Sequence, residues 1–233
     1  MDQPSLIVDD HSHPGVRILT LNRVAKANAL HEQLYGLLNQ AFEEANDLKD
    51  LRAVVVKSAS NKIFCAGADV NAYAELSPAQ ASVKRRRQLV QTMITMLGCH
   101  KPVIAALEGK VIGAGAMLAL AADVVLATES VTLSFPEIHL GMPSPIGIAI
   151  LKKRASLHLI HPLIQLGEVM HARELVNHRL IDGLCESQDL IARCLQDSTL
   201  RLDPQAFQVN KHWLNRSIMD EILEAERFLN ELP

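Results

Sequence analysis

The stretch GKVIGAGAMLALAAD, residues 109–123, decides how the rest of this chain is interpreted. It begins with small residues and continues as an apolar segment that predicts a helix starting near Ala114. Gly115 lets the backbone turn tightly, and the start of the helix directs unpaired N–H groups and the positive end of its dipole at whatever lies before it. The pattern is typical of a loop that brings backbone close to a ligand, although most such turns serve packing alone.

A second turn of this kind lies in IFCAGAD, residues 63–69, where Gly67 follows another strand-like run. If the two turns face each other, they present a pair of N–H donors with no bulky side chain in the way. Such a pair is an oxyanion hole, which stabilises negative charge on a carbonyl oxygen.

A third segment, SFPEIHLG at residues 134–141, places Glu137 between apolar neighbours. An apolar setting disfavours the ionised carboxylate, so the group becomes a competent proton carrier near neutral pH. The alternative is a structural role, in which Glu137 caps a helix or pairs with a surface base.

Length and charge exclude several classes of protein. The chain has 233 residues, 48% of them apolar, which is ample for a buried core. The formal net charge of −3 gives no reason to expect a nucleic-acid partner. No apolar run reaches the roughly 20 residues of a membrane span. The four cysteines lack CxxC spacing and no signal segment precedes them, so we expect a reduced, cytoplasmic protein.

The periodicity of the first two thirds predicts strands alternating with helices, and therefore a largely parallel sheet of the α/β class. Ser77 and Pro78 form a helix start, as N-cap and first helical residue. The predicted strands are 15–22, 51–57, 102–107, 123–127 and 131–134, and the predicted helices are 30–48 and 78–99.

From about residue 144 the pattern is mostly helical. We predict an α/β core at residues 1–165 and a helical C-terminal region at residues 166–233. The predicted helices are 146–154, 157–166, 172–177 and 189–201, with one or two more from residue 204 onward.

Taken together, these segments resemble the crotonase, or enoyl-CoA hydratase/isomerase, superfamily. The resemblance runs from LTLNR (19–23) and ANAL (27–30) through FCAGAD, KPVIAALEGKVIGAGAMLALAAD and FPEIHLG to the helix containing Lys211. It implies a spiral of βαβ units with a helical C-terminal region that forms homotrimers, which often pair into hexamers. It also implies an acyl-CoA substrate, or an acyl-carrier-protein thioester, with no metal and no cofactor other than the coenzyme A of the substrate.

The resemblance also implies catalytic roles. The N–H groups of Ala68 and Ala114 hold the thioester oxygen as it becomes an enolate. Hydratases of the family use two glutamates, one of which falls at Glu137 and the other at Met117, which cannot transfer a proton. Isomerases that move a double bond from the 3 to the 2 position of an enoyl-CoA also have an apolar residue there. We therefore expect a one-base isomerase.

Three alternatives stay open at this point. The same oxyanion hole serves hydration, and it also serves decarboxylation or hydrolysis of acyl thioesters. A non-catalytic protein that binds acyl-CoA is the third alternative, although such a protein has little reason to keep Glu137.

Binding residues follow from the same resemblance. Arg23 and Lys26 are candidates for the CoA phosphates, and the charge run 84–87 is either a further anion contact or a solvated helix face. His139 is more typical of structural hydrogen bonding than of catalysis. The remaining substrate-binding residues are Ala27, Ala29, Leu30, Ala66, Gly67, Asp69, Val70, Gly113, Met117 and Pro136.

Two departures from the family pattern affect the expected site. The chain stops at Leu232 and Pro233, before the usual final helix of the family, which puts in doubt the adenine end of the CoA site and the trimer contacts. GMPSPIG at residues 141–147 replaces a more glycine-rich motif of hydratases, so we expect a reshaped acyl pocket.

Overall fold

The computed structural model describes residues 7–232. Its strands are Ile7–His13 (β1), Val16–Leu21 (β2), Ala53–Ser58 (β3), Ile63–Cys65 (β4), Val103–Leu107 (β5), Lys110–Ile112 (β6), Val124–Ala127 (β7), Thr132–Ser134 (β8), Met170–His171 (β9) and Gly183–Leu184 (β10). Its helices are Glu32–Asp47 (α1), Pro78–Gly98 (α2), Ala114–Ala121 (α3), Pro145–Leu151 (α4), Leu157–Gln165 (α5), Ala172–Asn177 (α6), Leu190–Leu195 (α7) and Pro204–Glu231 (α8).

Two sheets repeat one pattern. The larger has the order β1-β2-β3-β5-β7-β10, and all its pairs are parallel except β1 with β2. The smaller has the order β4-β6-β8-β9, with only β9 antiparallel. Three times in succession the chain forms a strand of the larger sheet and then a strand of the smaller one. This is the predicted spiral, and it stacks the turns that follow β4 and β6 side by side.

The larger sheet is buried on both faces. In β3 the side chains of Val54 and Val56 pack into the main core, whereas Ala53 and Val55 pack under α7. Because a parallel strand with helices over both faces has no solvated side, its sequence is a continuous apolar run. The prediction at residues 51–57 is thereby confirmed.

All eight residues of α3 are buried, so its C-terminal carbonyl groups need partners inside the protein. Two adjacent cations supply them. Lys153 Nζ donates to the carbonyl oxygens of Ala121 at 2.6 Å and Ala122 at 2.9 Å. Arg154 donates to Ala122 and Leu120. Cations at this end also oppose the negative pole of the helix, which fixes α3 in the core.

The long helix α8 packs against α2 and α4. Lys211, on its inner face, is buried and donates to Asp123 Oδ2 at 2.6 Å and to the Lys101 carbonyl at 2.9 Å. Asn215, one turn later, donates to the Leu97 carbonyl at 3.0 Å. These contacts hold α8 against the C-terminal ends of α2 and α3. The last turn of α8 lines the same cavity as the turns that follow β4 and β6.

Most of the predicted elements agree with the structure, although β1 and β6 were not predicted and two further corrections are needed. Ser77 caps α2 as predicted, with Gln80 completing a capping box. The single helix predicted at 189–201 is wrong: α7 ends at Leu195, and the side chain of Asp197 accepts the N–H of Thr199 to start a separate 3₁₀ turn. The region after residue 165 also contains β9 and β10, which pair with the sheets, and the boundary at 165 stays a prediction.

The α/β class with a C-terminal helical element is confirmed. Within residues 7–232 no helix is both long enough and apolar enough to cross a membrane.

Candidate active site

Two backbone N–H groups without acceptors lie at the turns after β4 and β6. Ala68 follows β4, and Ala114 is the first residue of α3, directly after β6. Neither amide donates to any acceptor in the described part of the chain. Both residues line the same cavity. Each backbone N–H is a strong hydrogen-bond donor, so two unpaired ones in the lining of one cavity indicate a place for an oxygen acceptor.

The two turns touch through their backbones. Gly67 has φ of +92°, and a Cβ on it would lie 3.0 Å from the carbonyl oxygen of Ile112 and 3.3 Å from the nitrogen of Ala114. A side chain at Gly67 would therefore separate the turns. Because β4 and β6 are parallel neighbours, their carboxyl ends meet at the same edge, which is why the two donors share one cavity.

The backbone of Leu30 pairs with residues on both sides of Ala68 and leaves the Ala68 amide unpaired. Its N–H donates to the Gly67 carbonyl and its carbonyl accepts from the Asp69 N–H, both at 2.8 Å. Ala68, between these two residues, is skipped by this pairing. The segment before Leu30 is held in turn by the buried Asn28, whose amide donates to Ser58 and to the Phe64 carbonyl at 2.9 Å.

Arg23 belongs to this support and not to the cavity wall. Its Nη1 donates to Asp69 Oδ2 at 2.7 Å and to the Ala29 carbonyl at 2.9 Å. Burial alone would raise the pKa of Asp69, but the hydrogen bond and charge of Arg23 outweigh it and hold that pKa below its usual value. Arg23 is therefore engaged inside the protein, whereas Lys26 is exposed.

Glu137 lies in the 3₁₀ turn Pro136–Leu140, which follows β8. Its Oε2 is buried and has no hydrogen-bond partner among residues 7–232. Burial raises the pKa of the carboxyl, and a hydrogen bond to its own backbone offsets this only in part. Oε1 lies against Gly113, where a Cβ would be only 2.8 Å away. The carboxylate is thus held beside the start of α3 with one oxygen unused.

These groups share a cavity of about 720 Å³. Its apolar walls and few polar groups are typical of a site for a small molecule. Among the residues predicted from the sequence, those that line it are Ala66, Gly67, Ala68, Val70, Gly113, Ala114, Met117, Pro136 and Glu137. The predicted residues outside its lining are Arg23, Lys26, Ala27, Ala29, Leu30 and Asp69.

Comparison with known proteins agrees with this geometry. The sequence model of the enoyl-CoA hydratase/isomerase family matches residues 11–229. A probable enoyl-CoA hydratase of Mycobacterium bovis is 30% identical over 228 residues, covering 97% of this chain and 86% of that protein. A 2,3-dehydroadipyl-CoA hydratase of Escherichia coli is 34% identical over 206 residues, covering 87% and 79%.

The chain belongs to the enoyl-CoA hydratase/isomerase family. The crystal structure of an enoyl-CoA hydratase/isomerase from Xanthobacter autotrophicus Py2 superposes with a TM-score of 0.86 at 27% identity, covering 96% of this chain and 86% of that one. An enoyl-CoA hydratase from Bacillus anthracis gives 0.85 at 26% identity, covering 97% and 90%. The predicted crotonase-like fold is confirmed.

Met117 faces the cavity from α3 of this family member. Its side chain is only 4% exposed, and its Cε lies 3.0 Å from the position of a Cβ on Gly147. The Ser144 hydroxyl lies 2.5 Å from the same position. Ser144 precedes α4, yet its Oγ caps no N–H and is buried without a partner in the described chain. The cavity therefore offers a thioether and one free hydroxyl close to each other.

Two helices contribute cavity residues that the sequence reasoning missed. Arg85 and Arg86 were interpreted only as part of a charge run, yet both line the cavity from α2. The spacing of Ala79, Ser82, Arg86 and Leu89, three to four residues apart, places them on one helix face and was the available indication. Leu229 and Asn230 of α8 and Leu232, which directly follows that helix, also line it, and no local pattern marks them.

His139 and Cys65 have structural positions. His139 is exposed, and its Nε2 lies against Gly167, outside the cavity lining. Cys65 is buried and donates to the Asn28 carbonyl, and burial raises the pKa of its thiol to about 12. The thiol occupies the space that a side chain at Gly115 would need, so it packs α3 against β4.

No three His, Cys, Asp or Glu side chains among residues 7–232 are grouped so as to bind a metal ion.

Proposed function

We propose that the protein is an enoyl-CoA isomerase that moves a double bond from the 3 to the 2 position of an acyl-CoA thioester, with Glu137 as its one base. The observation that carries the proposal is the combination in one cavity of two unpaired N–H groups, at Ala68 and Ala114, with one carboxylate oxygen that has no partner.

Each of these groups has a defined role in the reaction: Glu137 first accepts a proton and then donates it, while the two N–H groups hold the thioester oxygen. The carboxylate of Glu137 removes a proton from C2, and the electron pair moves into the thioester carbonyl to form a dienolate. The N–H groups of Ala68 and Ala114 donate to the negative oxygen, and each donor of this kind stabilises a transition state by about 3–4 kcal/mol. The protonated Glu137 then returns the proton at C4, which leaves the double bond between C2 and C3. No atom is gained or lost.

The environment of Glu137 suits this task. Its raised pKa brings the acid and base forms closer in free energy near neutral pH, and a base that must also act as an acid needs both. Met117 excludes water from the position where hydratases would activate it. A proton shift within the substrate needs no water, so the same feature that weakens hydration favours isomerisation.

Hydration of a 2-enoyl-CoA is the second candidate. It is supported by the names of the relatives, since the proteins from Mycobacterium bovis and Escherichia coli are both called hydratases. The free hydroxyl of Ser144 beside Met117 would be the group that holds the water. A hydroxyl with an unperturbed pKa is a weak base, however, and Glu137 would then carry both proton transfers alone.

The two candidates are separated by one pair of assays. Purified protein is incubated in D₂O with a 3-enoyl-CoA and, separately, with the 2-enoyl-CoA of the same chain length. We expect conjugation of the double bond from the first, with deuterium uptake at C4, where the proton is returned, and at C2 when the first step reverses; from the second we expect little 3-hydroxyacyl-CoA. Rapid hydration of the 2-enoyl-CoA contradicts the proposal in favour of the second candidate.

Substitution of the base gives the matching test. Glu137→Gln keeps the size of the side chain and removes the proton acceptor, so the isomerisation rate should fall by about 10²- to 10⁴-fold. Glu43→Gln, at an exposed position of α1, is the matched control and should leave the rate unchanged. Isomerisation that persists in Glu137→Gln contradicts the role given to this residue.

We infer that coenzyme A carries the acyl group, because the family whose sequence model matches is named for enoyl-CoA hydratases and isomerases. An acyl-carrier-protein thioester is the alternative carrier. Assembly into homotrimers or hexamers, the cytoplasmic location and the absence of a cofactor stay predictions.

A further inference from the structure

Two arginines of α2 reach the cavity that holds Glu137. Arg85 and Arg86 lie in the run 84–87, and both line the cavity together with Ala68, Ala114 and Glu137. The other two cations of the run do not. Lys84 pairs with Glu32 at 2.8 Å, and Arg87 is exposed on the side of α2 that faces α1. Two cations of the run therefore line the cavity, and the other two lie outside it.

Arg86 has no carboxylate partner. Its Nη2 donates to the side-chain oxygen of Asn230 in the last turn of α8, and its Nε is buried without an acceptor in the described chain. No Asp or Glu between residues 7 and 232 lies within ion-pair distance of its guanidinium. Burial lowers the pKa of Arg86, and the charge of Glu226 offsets this only in part. Its positive charge therefore has no direct carboxylate partner among the described residues where it meets the cavity.

Arg85 also lacks a carboxylate partner. It forms no hydrogen bond or ion pair within the described residues, although it is only partly exposed. Holding a cation partly out of water without an anionic partner is costly. An anion in the cavity removes this penalty, since a guanidinium binds a carboxylate with two parallel N–H donors.

Apolar residues of three helices line the same cavity. They include Leu89 of α2, Ile146 of α4 and Leu229 of α8, together with Met117. Such walls suit a hydrocarbon chain, and Arg85, Arg86 and Asn230 offer polar groups on the α2 and α8 side of the cavity. Phosphate groups carry more charge than an apolar wall of this kind accommodates, because ionic groups are costly to bury beside hydrocarbon.

We propose that the acyl group of the substrate ends in a carboxylate, and that Arg86, supported by Arg85 and Asn230, binds this carboxylate at the α2–α8 wall of the cavity. The inference rests on the proposed function only in placing an acyl thioester in the cavity. It defines the substrate class as ω-carboxyacyl thioesters, that is, half-thioesters of dicarboxylic acids.

Binding of saturated ligands tests the inference without turnover. Isothermal titration calorimetry compares ω-carboxyacyl-CoA esters, from succinyl-CoA to suberyl-CoA, with methyl-terminated acyl-CoA esters of the same chain lengths. We expect the carboxylated ligand to bind about 10- to 100-fold more tightly at the best chain length, the range given by one or two charge-assisted hydrogen bonds. Equal affinity of both series at every length overturns the inference.

Variants locate the effect. Arg86→Leu should abolish the preference and leave the affinity for methyl-terminated ligands within about 2-fold, and Arg86→Lys should keep part of the preference. Arg87→Leu, on the same helix but outside the cavity, should keep all of it. If Arg86→Leu weakens both ligand series equally, the arginine binds the CoA moiety and the inference is overturned. Thermal melting of each variant shows that it is folded.

These outcomes are independent of the isomerase assay. A carboxylate preference that depends on Arg86, in a protein that isomerises nothing, supports the inference and contradicts the proposed reaction. Isomerisation without a preference for carboxylated ligands supports the proposed reaction and overturns the inference.

Discussion

Gly113 and Glu137 are in contact across the site: a Cβ on Gly113 would lie 2.8 Å from Oε1 of Glu137. Gly113 has φ of +53° and ψ of −123°, a conformation that side chains disfavour, and it directly precedes the amide of Ala114. One residue without a side chain thus lets the Glu137 carboxylate lie close to the Ala114 amide.

Gly113→Ala should therefore damage both stability and activity. The backbone conformation would cost about 1–3 kcal/mol of unfolding free energy, and the new methyl group would displace the carboxylate. Chemical denaturation measures the first effect and the isomerisation rate the second. Gly36→Ala is the control, since Gly36 lies inside α1 with nothing within 4 Å of an added Cβ. It should gain up to about 1 kcal/mol, and equal losses in both variants would contradict the argument.

The raised pKa of Glu137 predicts how stability depends on pH. Below the usual value of about 4.5 the carboxyl is protonated in the folded and unfolded states, so burial carries no ionic penalty. As the pH rises toward the raised pKa, the unfolded state ionises first, and folding loses stability until the folded carboxyl is ionised too. Glu137→Gln should therefore be more stable than the native protein at pH 7.5.

Urea unfolding from pH 4 to pH 8 measures this difference, which should shrink toward the acid end of the range. Glu43→Gln controls for the loss of one carboxylate at the surface. The isomerisation rate should fall on the acid side with a midpoint above the usual pKa of a glutamate. A stability difference that is the same at all pH values would show that burial does not govern this carboxyl.

Local chemistry explains what the sequence could predict. Ser77 and Pro78 start α2 because a side-chain acceptor and a fixed φ satisfy the first turn of a helix, and this requires only neighbouring residues. The tight turn at Gly67 was predictable for the same reason, since a side chain there would meet the backbone of Ile112 and Ala114.

Contacts between distant segments explain what it could not predict. The sequence assigned Arg23 to phosphate or to solvent, but its partner Asp69 is 46 residues away. It gave Arg86 no more importance than Arg87, because only the packing of α2 beside α8 turns one of them to the cavity. The helical spacing places Arg86 on the same face as Ser82 and Leu89, but it does not say that this face lines a cavity.

Met117→Glu should add hydratase activity. The new carboxylate would lie beside Ser144 and Gly147 in the cavity, where a water molecule has a hydroxyl as a second partner. A general base at this position is worth about 10²-fold or more in the rate of hydration. The variant should be about 1–3 kcal/mol less stable, because a charge replaces a buried thioether.

Met117→Gln is the matched control, with similar size and no ionisable group. Both variants are assayed for 3-hydroxyacyl-CoA formed from a 2-enoyl-CoA. Hydration in Met117→Glu alone supports the assignment of Met117 as the position of the missing base. Equal hydration in Met117→Gln would attribute the effect to space for water and not to proton transfer.

Arg23→Leu separates two roles for this arginine. If it only holds Asp69 and the loop of Ala68, the variant should lose about 1–3 kcal/mol of stability and most of its kcat, with a smaller change in KM. If it binds a CoA phosphate, KM should rise for CoA thioesters but not for their dephospho analogues. Lys26→Ala is the comparison, because Lys26 is exposed and is expected to change KM alone.

The double variant Arg23→Leu/Asp69→Asn decides between these roles. An arginine that acts through Asp69 has nothing further to lose once its partner is neutral, so the double variant should be no worse than the worse single variant. A phosphate-binding arginine acts independently of Asp69, and the two losses would then add. Because the ion pair lies directly beside the Ala68 amide, we expect the non-additive result, with kcat reporting the geometry of the oxyanion hole.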